Sequence, residues 1–81
     1  MSAEQIRDAV LAALGDVAPE ADLAALAPGA ELRDALDLDS MDFLGFVQRL
    51  AVATGVEVPE QDYAQLATLE GCIAYLAARA A

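Results

Sequence analysis

Residues 36–44 read LDLDSMDFL, and they decide how the rest of the chain is divided. A serine stands between acids and is followed at once by apolar residues. This is the composition of a helix start. Asp39 is placed to act as N-cap, with Ser40 at the first helical position and Asp42 at the third, where carboxylates also suit the helix dipole. Downstream, Leu44, Val47, Leu50 and Ala51 form one stripe at helical spacing, and Phe43, Phe46, Leu50 and Ala53 form another beside it. So broad an apolar arc implies more than one neighbouring surface, core or partner. Gly55 is a suitable C-terminal stop. The hydroxyl at Ser40 then has three readings: a cap, a nucleophile, or a point of attachment.

Working outward, Ser2 and Gln5 form an S-x-x-Q capping box, and Ile6, Val10, Ala13, Leu14 and Val17 recur at helical spacing. The spacing predicts a first helix over about 3–15, with Gly15 and Pro19 bracketing its end. Residues 16–38 form a long connection that Pro19, Pro28 and Gly29 keep from being one helix, with EADLAALA (20–27) forming at most a turn or two. It carries Leu23, Leu26, Leu32, Leu36 and Leu38, too many leucines for a solvated linker, so it is expected to lie pinned across the helices. After Gly55 the chain is expected to run extended, break at Pro59 and form a short helix over about 60–65. Thr68 caps a last helix with apolar positions Leu69, Cys72, Ile73, Leu76, Ala77 and Ala80. The sequence shows no repeat and no strand alternation. The expected fold is all-α, a small four-helix bundle of three longer helices and one short, with a long ordered loop, in a single domain over 1–81.

Charge narrows the function. Fourteen acids against four arginines, with no lysine, give a net charge of −10. Nucleic acid and anionic membrane surfaces both demand basic residues, so neither is an expected partner. Basic protein surfaces are. The lone cysteine, Cys72, permits no internal disulfide and sits among apolar residues, where a small core filler is expected. No apolar run approaches the ~20 residues of a membrane span. MSAEQIRD (1–8) is polar and unlike a signal peptide, so a cytoplasmic monomer is the expectation.

Little catalysis is available to such a chain. A serine nucleophile needs a base, most often histidine, and the sequence has neither histidine nor lysine. Asp37, Asp39 and Asp42 oppose formation of an alkoxide. Ser40 is expected to be inert on its own, and the chain not to be an enzyme. Asp34, Asp37, Asp39 and Asp42 do not follow the spacing of a calcium loop, and leucines stand where a glycine is needed, so no dedicated metal site is expected. A phosphate group, by contrast, is well accommodated at a helix N-terminus.

LRDALDLDSMDFLGFVQRL (32–50) resembles the modification segment of acyl carrier proteins: a leucine, an acidic turn, then Asp-Ser-Leu/Met opening the second long helix. TGVEVPEQDYAQLATLEGCIAYL (54–76) is similar to the same family downstream, with Pro59 and Thr68 as landmarks. The resemblance implies that Ser40 receives 4'-phosphopantetheine from coenzyme A through a separate phosphopantetheinyl transferase, and that the thiol of the arm carries acyl groups as thioesters for acyl-transferring or condensing enzymes. It implies that Asp37, Asp39, Met41, Asp42 and Phe43 contribute to partner recognition. By position, Phe46, Leu50, Leu66 and Ile73 become candidates to line an acyl chain, and each also has a plain core reading.

The sequence departs from the fatty-acid members of the family, which usually carry glutamates along the exposed part of this helix. Here that face is read as Phe43, Gly45, Gln48, Arg49, Val52 and Ala53, and the negative charge lies earlier, at Glu31, Asp34, Asp37 and Asp39. This favours a specialised carrier, polyketide-like or otherwise dedicated, docking through an apolar patch. Two alternatives stay open: an aminoacyl or peptidyl carrier, and an unmodified helical adaptor domain in which Ser40 is only a first-turn residue.

Overall fold

The computed structural model describes residues 1–80, and its fold follows from how each helix is started and stopped. The first helix, α1 (Ala3–Val17), opens on the anticipated box: Gln5 N–H donates to Ser2 Oγ at 3.1 Å and Ser2 N–H donates to Gln5 Oε1 at 2.8 Å. It runs on through Gly15 and closes where Ala18 N–H reaches Leu14 O, just ahead of Pro19. Gly15 is therefore not part of the stop. One mid-helix glycine costs only about 1 kcal/mol relative to alanine, and the packing of Leu14 and Val17 against the core offsets it.

The connection to the next long helix is more structured than its prolines suggest. It holds a 3-10 turn at Leu23–Ala25 and a short helix, α2 (Leu32–Ala35), that the sequence reading left inside the loop. The Glu31 carboxylate caps α2 by accepting from the N–H groups of Arg33 and Asp34, at 3.2 and 3.1 Å. Glutamate is a less usual cap than Ser, Thr, Asp or Asn, which is why the start was not legible. The pinning expected from the leucines is present: Leu32 and Leu38 are buried, and Leu23, Leu26 and Leu36 pack against the core. The backbone adds to it. Leu32 N–H donates to Ala67 O at 2.7 Å and Glu70 N–H to Pro28 O at 3.0 Å, around an isolated bridge between Glu31 and Thr68.

The second long helix, α3 (Ser40–Thr54), ends at Gly55. That residue takes φ 72°, a left-handed conformation that glycine adopts without steric cost, and its N–H closes on Ala51 O. A 3-10 helix at Glu60–Leu66 stands where the short helix was expected. The last helix, α4 (Leu69–Arg79), is capped by Thr68, whose Oγ1 accepts from Gly71 N–H at 3.0 Å. Gly71 is required by a close approach: a Cβ there would lie 2.6 Å from the carbonyl oxygen of Gln65.

α1 packs across both α3 and α4, and α4 packs on the 60–66 segment. Ile6, Val10 and Leu14 meet Phe46, Leu50, Leu69, Cys72 and Leu76 in one apolar core, all of them buried. On α4 the inward face is turned slightly from the expected one: Tyr75 is buried and Ala77 is exposed. The tyrosine is held there by its hydroxyl, which donates to Asp62 Oδ2 at 2.7 Å, while the Arg79 guanidinium lies 3.7 Å over its ring. The fold is thus all-helical among the described residues, with α1, α3, the 60–66 segment and α4 as the four bundle helices. Among those residues no helix is long and apolar enough to cross a membrane.

Candidate functional site

Ser40 is positioned by what lies on either side of it. Upstream, Leu38 is buried and its N–H donates to Arg33 O at 2.9 Å, so the turn after α2 is closed and anchored. The turn passes through Asp37 at φ 54°, a left-handed conformation that aspartate tolerates better than most residues. Downstream, Phe43 N–H donates to Asp39 O, and its ring is buried between Phe46 and Tyr63, at centroid distances of 5.9 and 6.0 Å. Between these anchors Asp39 caps α3 as expected: its Oδ1 accepts from Asp42 N–H at 2.7 Å, and Asp42 Oδ2 accepts from Asp39 N–H at 3.3 Å. With Asp39 serving as cap, the Ser40 side chain is released from that task. It is exposed at the first position of a 15-residue helix, where the first-turn N–H groups have no intrahelical acceptor.

Among the described residues one side chain is hydrogen-bonded to the hydroxyl. Arg33 Nη2 donates to Ser40 Oγ at 3.3 Å, and the guanidinium stands 5.9 Å from the centroid of the Phe43 ring. The sequence reading assigned Arg33 no role. Its signal was only that one of four arginines falls amid Glu31, Asp34, Asp37, Asp39 and Asp42. An arginine that donates to a hydroxyl cannot take its proton.

The outer face of α3 is not quite the one read from the sequence. Phe43 is only 7% exposed, so it does not stand on the surface, whereas Leu44, on the neighbouring apolar stripe, is 42% exposed. The rotation has a simple cause. The apolar arc of this helix is wide, and Phe43 is drawn inward by the aromatic pair Phe46 and Tyr63. At 100° per residue, Met41, Leu44, Gln48 and Val52 fall on one outward stripe, with Met41 78% and Val52 88% exposed. Asp37 and Asp39 are exposed and Asp42 is half-buried, framing the serine.

The four acyl-lining candidates do not stand alike. Phe46, Leu50 and Leu66 are fully buried in the core, and Ile73 packs on its edge, half-buried. A shallow groove does run along α3, between it and the 57–63 segment, but it is lined by Leu44, Val47, Ala51, Val58 and Tyr63 rather than by those four. Cys72 is buried with its Sγ 3.4 Å from Leu66 O, and burial pushes the thiol up to about 12, so it is no thiolate near neutral pH. Tyr75 also titrates above its ordinary value, first because its hydroxyl is bonded to Asp62 and then because it is desolvated. Among the described residues no three acids or cysteines converge to hold a metal ion.

The geometry is that of a helical domain which displays a hydroxyl at the first turn of a long helix. The family model for a phosphopantetheine attachment site matches residues 4–76, and the chain belongs to that family. No curated protein and no solved structure matches it. Domains of this family are carriers, generally non-catalytic, that bear covalent 4'-phosphopantetheine and meet a phosphopantetheinyl transferase and acyl-handling enzymes. The residues present fit such a group. The Ser40 Oγ is accessible, an arginine stands beside it, and the amino end of α3 favours a phosphodiester. The bound group supplies a thiol that holds acyl chains as thioesters.

Proposed function

We propose that Ser40 is the attachment point and that the chain carries acyl groups for a dedicated pathway outside the housekeeping fatty-acid cycle. The observation that carries this reading is the exposed Ser40 hydroxyl at the first turn of α3, freed from capping by Asp39. In the modification, Ser40 Oγ bonds to the phosphorus that bears the pantetheine in coenzyme A. The pyrophosphate linkage breaks and adenosine 3',5'-bisphosphate leaves. The hydroxyl proton passes to a base of the transferase, since Arg33, the residue hydrogen-bonded to Ser40, cannot take it.

The dedicated pathway is supported by the outer face of α3. Met41, Leu44 and Val52 offer apolar surface there, and Asp37, Asp39 and Asp42 gather the charge around the serine. The proposed division is that the acids guide a basic transferase while the apolar stripe seats the acyl-handling partner. Phe43 serves that surface from beneath, by fixing the rotation of the helix. For an acyl chain to enter between Phe46, Leu50 and Leu66, their contacts must part, while Ile73 lies at the edge of the core.

Intact mass tests the reading. The purified protein is incubated with coenzyme A, magnesium and a promiscuous phosphopantetheinyl transferase. Gain of one phosphopantetheinyl unit by the wild type and none by Ser40→Ala is expected. A folded wild type that gains nothing overturns it and leaves the unmodified adaptor domain.

A further inference from the structure

We propose that Arg33 is the cationic partner of the phosphodiester formed at Ser40, a positioning residue that holds the first link of the arm against the protein. This rests on the attachment reading above. The guanidinium already donates to Ser40 Oγ at 3.3 Å. Esterification removes the hydroxyl proton and leaves Oγ as a bridging ester oxygen, a poorer acceptor. It also sets two non-bridging oxygens, sharing one negative charge, on the adjoining phosphorus. A donor that reaches Oγ therefore has a better acceptor two bonds further on, and a guanidinium has five N–H groups in a fork to meet it. No new approach is required, only a transfer of the contact along the ester.

Three observations single out Arg33. It is aimed: α2 is capped by Glu31, the Arg33 carbonyl is engaged by Leu38 N–H, and the guanidinium stands by the face of Phe43. It is uncommitted: among the described residues it forms no ion pair, whereas Arg49 pairs with Asp16 and Arg79 lies over Tyr75. It is needed: a phosphodiester at Ser40 adds a negative charge beside Asp39 and Asp42, and Arg33 is the cation that touches the serine. The like charges that oppose the modification electrostatically are thus answered by one side chain from the preceding turn.

The test uses the modified protein and reads the phosphate itself. Wild type, Arg33→Gln and Arg33→Lys are loaded with the transferase, and intact mass confirms complete modification of each. The phosphorus-31 resonance of the diester and the Arg33 Nε–Hε resonance of nitrogen-15-labelled protein are then recorded. Expected are a shift of the Arg33 signal between unmodified and modified wild type, and a phosphorus shift in Arg33→Gln toward that of the same phosphodiester on a short unstructured peptide. Lysine should recover part of the difference, as a point charge without the fork. Added salt should move the wild type toward Arg33→Gln, because the contact is exposed and screened. Amide spectra of α4 that coincide with those of the wild type show that the variants are folded. Identical phosphorus resonances in fully modified wild type and Arg33→Gln overturn the proposal while leaving Ser40 as the attachment point. A wild type that gains no mass overturns the attachment reading itself.

Discussion

Asp39 and Asp42 cap each other. Each carboxylate accepts from the other's backbone N–H, at 2.7 and 3.3 Å, across the first turn of α3. The pair encloses Ser40 and Met41, so the turn that presents the hydroxyl is held by two acids rather than by the serine. Asp39→Ala should lower stability by about 1 kcal/mol, the usual worth of an N-cap. Asp39→Asn, which keeps an acceptor, should cost less. Urea unfolding checks both, and a cost for alanine no greater than for asparagine would show that the cap is idle.

Asp37 occupies left-handed backbone two residues before that cap. A β-branched residue there meets the full steric cost, so Asp37→Val should lose about 1–2 kcal/mol. Asp37→Gly should be at least as stable as the wild type. Thermal melts of the two variants give the comparison, and the order glycine above valine is the prediction.

Gly71 and Gly29 separate backbone crowding from open space. A Cβ at Gly71 would press on a backbone carbonyl, that of Gln65, at 2.6 Å, whereas one at Gly29 would meet only the tip of the Glu70 side chain at 3.7 Å. Gly71→Ala should therefore destabilise by about 1–3 kcal/mol. Gly29→Ala should stay within about 0.5 kcal/mol of the wild type. Equal effects would contradict the close approach at the start of α4.

The Cys72 thiol is raised in the folded protein from 9.0 to about 12 by burial. A raised value means that the unfolded chain gives up its proton first. The contribution is fully present below pH 9 and is lost as pH climbs from there toward the folded value. The slope in that window approaches about 1.4 kcal/mol per pH unit for one proton. Between pH 9 and 10 the wild type should lose stability more steeply than Cys72→Ala, since the tyrosines contribute alike to both. Denaturant midpoints across that interval measure the slope, which is insensitive to the constant cost of the cavity.

Met41 and Phe43 should part company on substitution. Met41→Glu alters an outward side chain, and its stability should stay within about 0.5 kcal/mol of the wild type while turnover by an acyl-handling partner falls. Phe43→Ala removes a ring packed between Phe46 and Tyr63, and should cost about 3 kcal/mol. Matching losses of stability in the two variants would contradict the assignment of inner and outer faces.

These contrasts mark what could be read from residues alone. Ser2 with Gln5, Asp39 with Asp42, Gly55 and Thr68 act on backbone groups within three or four residues, and their chemistry is local. The helices they bound were legible for that reason. The rotation of α3 was not. Phe43 and Leu44 are adjacent apolar residues on a wide arc, and only Phe46 and Tyr63, the latter from another segment, decide which turns inward. Tyr75 was passed over on α4 because its inward position depends on Asp62, thirteen residues away. The serine was legible from its neighbours, but its contact with Arg33 was not, since it depends on a short helix with a glutamate cap.

The stitching of residues 28–32 to 67–70 has a mechanical consequence. Glu70 N–H to Pro28 O and Leu32 N–H to Ala67 O fasten the approach to Ser40 onto the base of α4, and buried Leu38 fastens its far end. A bracket bolted at both ends does not swing. If Ser40 bears the proposed arm, the reach comes from the arm and not from this segment, and these two amides should exchange with solvent together, as parts of a single rigid mount.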